Sequence, residues 1–245
     1  MRRYGLIGFP LTHSFSPSFF ADKFRENGLN DCSYETFPIE SIDKLNDLLR
    51  QQPFFSGLNV TIPYKKAVLP FLHEYDRVVE ETGSCNCIKI DNGILKGYNT
   101  DVTGFEKSLL PLLKPYHNKA LVLGTGGAAS AVLFVLNKLG IDYLSATRNV
   151  KEENQIAYQE LTPSIMADCK LIINTTPLGM FPFVNESPAI LYDYIGSHHL
   201  LFDLIYNPAE TLFLKIGKEK GALVKNGQQM LVIQAEESWK IWSAE

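Results

Sequence analysis

The 245-residue sequence has few cysteines: Cys32, Cys85, Cys87 and Cys169. Four thiols in a chain of this length do not make a disulfide scaffold, and the spacing does not make a zinc site. Cys85-x-Cys87 lacks a second Cys pair or a spaced His pair, and the adjacent His198 and His199 cannot easily turn to one metal. No metal is therefore expected, and Cys85 and Cys87, alternating on one strand, read as core residues. Long apolar runs are also missing, so no segment approaches the roughly 20 residues of a membrane-spanning helix. The stretch after Met1-Arg2-Arg3 is too short and too interrupted by glycine for a signal sequence, which points to the cytoplasm. Runs of Lys or Arg are absent as well. With a formal net charge of −4, neither nucleic acid nor an anionic membrane surface is an expected partner. A composition of 45% hydrophobic and 20% charged residues is ordinary for a soluble globular protein.

What is present is a series of short apolar runs alternating with helical patterns. Residues 3–9, 34–39 and 57–62 read as strands, separated by helices over 18–26 and 41–49. This order implies parallel strands with right-handed crossovers, so the loops after the first and third strands open on one sheet edge. Ser14, Ser16, Asn59, Thr61 and Lys65 then share the rim at which open α/β sheets bind ligands. Ser14 and Ser16 can equally cap the following helix or receive an anion such as a substrate carboxylate. In the third strand Leu58, Val60 and Ile62 alternate with Asn59 and Thr61 until Pro63 stops it. Residues 64–69 can continue as a helix up to Pro70, which places Lys65 in a first helical turn. There the helix dipole disfavours a cation by roughly 0.3–1 kcal/mol. Taken alone, Lys65 reads as a solvated lysine; its neighbours on the rim favour a functional role.

Residues 74–82 suggest a further helix, and 85–90 with 94–98 a hairpin about Asp91-Asn92-Gly93. Asp101 either caps a helix over 102–113 or, if Thr100 does the capping, is left to pair with a lysine at the mouth of a cleft. A polar link over 114–119 leads to a buried strand at 120–124, which runs into Gly124-Thr125-Gly126-Gly127-Ala128-Ala129 and an apolar helix. A G-x-G-x-x-A pattern in this strand–turn–helix setting is the dinucleotide fingerprint, whose glycines let a pyrophosphate approach the helix N-terminus. The next strand, 143–147, ends in Ala146-Thr147-Arg148-Asn149 without the acid that NAD enzymes offer the ribose hydroxyls. Arg148 suits a 2′-phosphate, so NADP(H) is favoured over NAD. Strands at 170–174, 200–205 and 222–225 and a helix at 209–220 complete this half. In the last helix, 228–242, an apolar arc of about 180° from Met230 to Trp239 also contains Gln234 at about 40°. That inward amide needs a partner, either backbone or a polar ligand, whereas Glu236, Glu237 and Lys240 fall outside the arc.

Taken together, the motifs resemble the shikimate 5-dehydrogenase family, which includes shikimate/quinate dehydrogenases. They are Gly8-Phe-Pro-Leu-Thr-His-Ser14-Phe-Ser16-Pro17, Asn59-Val-Thr-Ile-Pro-Tyr-Lys65, Gly97-Tyr-Asn-Thr-Asp101, Gly124-Thr-Gly-Gly-Ala-Ala129, Asn174-Thr-Thr-Pro-Leu-Gly-Met180, Asp203-Leu-Ile-Tyr-Asn-Pro208 and Met230-Leu-Val-Ile-Gln-Ala235. The resemblance implies a two-domain α/β protein with a cleft between the domains. A catalytic domain would comprise residues 1–101 with 228–245, and a Rossmann-type NADP-binding domain residues 102–227. It implies reversible NADPH-dependent reduction of 3-dehydroshikimate to shikimate, a step of aromatic amino-acid biosynthesis, with Lys65 and Asp101 as the catalytic pair. Ser14, Ser16, Asn59, Thr61, Asn86, Tyr206 and Gln234 would hold the substrate. Gly124, Thr125, Gly126, Gly127, Ala128, Thr147, Arg148 and Asn149 would hold the cofactor, with Ile205 and Gly227 by the nicotinamide. Two departures stand out: Thr147-Arg148-Asn149 replaces the family's usual Asn-Arg-Thr, and Asn86 is followed by Cys87 rather than threonine. A quinate-active or NAD-using relative, or an inactive NADP-binding regulator, are the alternatives, and either a monomer or a homodimer is compatible with the sequence.

Overall fold

The computed structural model describes residues 1–11, 14–52 and 54–244; Thr12 and His13 of the first motif lie outside them. The chain divides into two compact units, Met1–Thr100 with Ala235–Glu245, and Asp101–Gln234. The first unit is built on a mixed six-stranded sheet in the order β2-β1-β3-β5-β6-β4. Its strands are β1 (Arg2–Gly8), β2 (Cys32–Pro38), β3 (Phe55–Val60), β4 (Glu74–Tyr75), β5 (Cys87–Asp91) and β6 (Ile94–Tyr98). As the βαβαβ pattern predicts, β1 lies between β2 and β3, parallel to both, with α1 (Ser16–Glu26) and α2 (Leu45–Gln51) as the crossovers. The hairpin also forms where expected: β5 and β6 are antiparallel about Asn92 and Gly93, at φ values of 49° and 81°. Positive φ at both central positions is what a tight hairpin with right-handed strand twist requires.

Period-two alternation in β3 assigns its residues to two cores. Leu58 and Val60 join Ile7, Leu45 and Ile88 on one face. Gly57 and Asn59 face the other way, toward α8 (Gln228–Ser243), where Trp242 occupies the space above Gly57 and Ser238 meets Asn59. That second core gathers Tyr4, Phe20, Phe24, Ala235 and Trp242.

Three local expectations are corrected. Residues 64–69 form no α-helix: after a cis Ile62–Pro63 bond the chain makes hydrogen-bonded turns and then a 3₁₀ turn, Leu69–Phe71. The Lys65 carbonyl, which in a helix would accept the Leu69 N–H, accepts the Cys85 N–H instead, and Leu69 turns to the Lys66 carbonyl. Lys65 is therefore not in a first helical turn, and the dipole argument about it falls. The helix expected over 74–82 is preceded by the short strand β4; α3 (Arg77–Thr82) starts only after its cap Asp76, whose carboxylate accepts the Val79 N–H. Helix α4 (Thr100–Leu109) begins at Thr100, so Thr100 does not cap it; the Asn86 side-chain oxygen takes the Thr100 N–H at 2.7 Å instead.

The second unit is a fully parallel six-stranded sheet, β12-β11-β10-β7-β8-β9. Its strands are β7 (Lys119–Leu123), β8 (Asp142–Thr147), β9 (Gln155–Ala157), β10 (Leu171–Asn174), β11 (Leu200–Asp203) and β12 (Leu223–Lys225). Counted within the unit, this is the 3-2-1-4-5-6 order of the dinucleotide-binding fold. Helices α5 (Gly127–Lys138), α6 (Pro163–Asp168) and α7 (Leu212–Glu219) connect the strands. Strand β9 and helix α6 have no counterpart in the pattern-based assignment; three half-buried residues and a single-turn helix carry too little periodicity to be read. Where the sequence places the second boundary at 227/228, the units change inside α8. The early part of α8 packs on α4, with the Met230 carbonyl 2.7 Å from where a Cβ on Gly104 would stand, while its later part covers the first unit's sheet.

Candidate active site

In the first unit the carboxyl ends of β1 and β3 lie side by side, because Thr61 donates its N–H to Ile7 and the Thr61 methyl presses on Gly8. Ser16 is buried as the first residue of α1, Ser14 half-buried just before it, and Thr61 and Lys65 half-buried after β3. The Lys65 backbone is fixed by its carbonyl, which accepts the Cys85 N–H at 2.8 Å. Asn59 is buried and its amide meets protein groups on both sides: Oδ1 accepts the Tyr34 hydroxyl at 2.8 Å, and Nδ2 donates to the Asn86 carbonyl and to Ser238 Oγ. Tyr34 stacks on Phe20, and burial, opposed by its hydrogen bond to Ser16, holds its hydroxyl far above the usual tyrosine range. Asn86 bonds Thr100 through both amide atoms, and Thr100 in turn meets Ser238. Ser16, Asn59 and Asn86 are thus brought into one buried hydrogen-bonded network, closed by Tyr34, Thr100 and Ser238. Burial pushes the Cys85 thiol up to about 12 and raises Cys87 as well, so both are inert core thiols at neutral pH.

Asp101 follows Thr100 and is buried in the first turn of α4, where the helix dipole favours a carboxylate. Gln234 is buried too, its Cβ close to Gly104 one turn along α4, and its amide donates to the Leu231 carbonyl at 2.9 Å. The backbone alternative for that inward amide is thus realised for its donor side.

The glycine turn lies at the switch point of the second sheet, between β7 and β10, the place where such sheets receive a dinucleotide. Gly124 has φ +103°, and a Cβ there would stand 2.8 Å from Thr175 Oγ1, so both the turn and the close packing require glycine. A side chain on Gly126 would meet nothing, which leaves the approach to the start of α5 open. Thr125 is exposed, with Gly127 and Ala128 half-buried beside it. These features fit a bound pyrophosphate. At the end of β8, Thr147 is buried and its hydroxyl accepts the Asn149 N–H, while Arg148 and Asn149 are exposed. Tyr158, beyond β9, is pushed up to about 12 by burial, with the Arg148 charge working against that rise. Ile205 and Gly227 are directly joined, Gly227 N–H to Ile205 carbonyl at 2.9 Å, and Tyr206 is half-buried next to them. Among the described residues no group of His, Cys, Asp and Glu could hold a metal ion, and no helix is long and apolar enough to cross a membrane.

Residues 6–88 match the family model described as the shikimate dehydrogenase substrate binding domain. A shikimate dehydrogenase (NADP(+)) of Carboxydothermus hydrogenoformans is 37% identical over 98% of this chain and 90% of its own length. The chain belongs to the shikimate dehydrogenase family. Among solved members, the Aquifex aeolicus shikimate dehydrogenase superposes with a TM-score of 0.88 at 34% identity, over 99% of this chain and 92% of that one. The Thermus thermophilus shikimate 5-dehydrogenase, solved in complex with NADP(H) and shikimate, superposes with a TM-score of 0.86 at 28% identity, over 99% of this chain and 94% of that one.

Two participants in the Asn59 network escaped the sequence reading. Ser238 carried a signal, since at about 80° it falls within the same apolar arc as Gln234. Tyr34 gave none; its partner Asn59 is 25 residues away.

Proposed function

We propose that this protein reversibly reduces 3-dehydroshikimate to shikimate with NADPH, using Lys65 and Asp101 as the catalytic pair. The observation that carries the reading is the joint occurrence of two things in one family member. One is the Lys65 motif, set after a sheet edge beside Ser14, Ser16 and Thr61; the other is a complete 3-2-1-4-5-6 sheet with its glycine turn at the switch point. NADPH supplies the hydride that the ketone carbon accepts. The Lys65 ammonium supplies positive charge and a proton to the developing alkoxide, with Asp101 as the second member of the catalytic pair. Ser14, Ser16 and Thr61 hold the substrate carboxylate and ring hydroxyls with Tyr206 and Gln234. Asn59, whose amide meets protein partners at both atoms, keeps that edge in shape, and Asn86 is a further member of the substrate-binding set. On the cofactor side, Gly124 to Ala128 receive the pyrophosphate, and Arg148, flanked by Thr147 and Asn149, receives the 2′-phosphate that distinguishes NADP. Ile205 and Gly227 face the nicotinamide half.

Steady-state rates of dehydroshikimate reduction with NADPH and NADH, and of shikimate and quinate oxidation with NADP+ and NAD+, test this directly. Dominant turnover of shikimate with NADP is expected; faster oxidation of quinate with NAD would move the assignment to a quinate dehydrogenase, and no turnover with any pair would leave only a binding protein. Lys65→Ala should lower kcat by at least about 10²-fold with a modest change in substrate KM, the range usual for acid–base residues. A variant within about fivefold of wild type would remove Lys65 from the mechanism.

A further inference from the structure

Strand β11 ends in a carboxylate that the proposed chemistry does not use. Asp203 is fully buried and in register with Asn174, the last residue of β10. It accepts three hydrogen bonds: from Asn174 Nδ2 at 3.0 Å, from the Ile205 N–H at 3.1 Å and from Thr211 Oγ1 at 2.6 Å. Each donor belongs to a different segment. Asn174 shapes the loop after β10, because its Oδ1 accepts both the N–H and the hydroxyl of Thr176 and its amide also donates to the Leu178 carbonyl. Thr175 in the same loop donates its N–H and hydroxyl to the Leu123 carbonyl and packs against Gly124, which links this loop to the glycine turn. Thr211 caps α7 by accepting the Leu214 N–H. Ile205 passes the constraint on: its carbonyl accepts the Gly227 N–H, and the Gly227 carbonyl accepts the Leu231 N–H in the first turn of α8. Gly227 has no slack, since a Cβ there would lie 2.0 Å from the Leu204 carbonyl oxygen.

A buried carboxylate is costly; here burial pushes its pKa up to about 6, against the three bonds that lower it. Closing a loop would not require one. The position of its bonds explains it better, because one anchor registers the backbone of Ile205 and Gly227 with the glycine turn. We propose that Asp203 is a positioning residue that holds the Ile205–Gly227 backbone for the nicotinamide half of the dinucleotide, with a much smaller effect on the adenosine half. The inference rests on the NADP-dependent reading above.

The test compares two ligands on the full chain: NADPH, and adenosine 2′,5′-bisphosphate, which carries only the adenosine side. Asp203→Ala should weaken NADPH binding on the order of tenfold or more and lower kcat, with adenosine 2′,5′-bisphosphate affinity within about threefold of wild type. Asp203→Asn should restore NADPH binding to within about threefold, since an amide can accept from Asn174 and Ile205 and donate to the Thr211 hydroxyl. Should Asp203→Ala not fold, Asp203→Ser is read in the same way, because one short hydroxyl cannot reach donors on both sides. Parallel weakening of both ligands, an unchanged NADPH affinity in Asp203→Ala, or an Asp203→Asn variant as impaired as the alanine one would each overturn the proposal. Wild-type protein that binds neither ligand would overturn the NADP reading itself, a result distinct from all three.

Discussion

Replacing Trp242 tests what holds the end of α8 on the first unit's sheet. Its indole is buried above Gly57, where no side chain stands in its way, and stacks on Tyr4 at 4.9 Å between ring centroids, with Phe20 at 5.4 Å. Its Nε1–H donates to the Ile88 carbonyl at 3.0 Å. Trp242→Ala removes the buried ring and leaves a cavity, a change that costs about 3–5 kcal/mol in well-packed cores. Trp242→Phe keeps most of the ring and its aromatic neighbours but loses the donor to Ile88, which costs about 1–3 kcal/mol. Urea unfolding followed by far-ultraviolet circular dichroism separates the two. At a slope of about 2 kcal/mol per molar, the alanine variant should lose about 2 M in midpoint and the phenylalanine variant about half that. Gly57→Ala should imitate the defect from the other side, since its Cβ would collide with the indole. A loss below about 1 kcal/mol in Trp242→Ala would refute the reasoning, because it would mean that α8 is held elsewhere.

Two further outcomes follow from the second unit. His117 and His199 each accept a backbone N–H at Nδ1, from Lys114 and Gly196, and face a carbonyl with Nε2, of His198 and Met166. Both imidazoles are therefore held neutral, and burial depresses both pKa values below 6.5. A depressed histidine favours the folded state fully above the unfolded value, so stability should fall as pH drops below about 6.5, by up to about 1.4 kcal/mol per pH unit per histidine. Asp203, raised to about 6, acts in the opposite sense at still lower pH. A wild-type stability profile that stays flat from pH 7.5 to 6, or one unaltered in His117→Ala and His199→Ala, would contradict this. Arg148→Ala should raise the KM for NADPH on the order of tenfold while leaving that for NADH nearly unchanged, measured by initial rates; equal effects on both cofactors would show that Arg148 does not meet the 2′-phosphate.

The sequence by itself determined the elements whose signal is local: the βαβαβ start, the Asn92-Gly93 hairpin, the glycine turn between β7 and α5, and the inward side of α8 that carries Gln234. Each depends on a repeat or a turn residue within a few positions, so chain order suffices. It also supplied seven ordered motifs that pointed to the family before any distance was known. Local pattern misled at Lys65, where two prolines suggested a helix and the chain instead turns, held by the Lys65 carbonyl on Cys85, 20 residues on. The tertiary structure alone decided the long-range hydrogen bonds: Tyr34 and Ser238 on Asn59, Asn86 on Thr100, Asn174 and Thr211 on Asp203. A buried polar group must find a partner, but which partner depends on the sheet register that brings distant strand ends together, and no local periodicity encodes that.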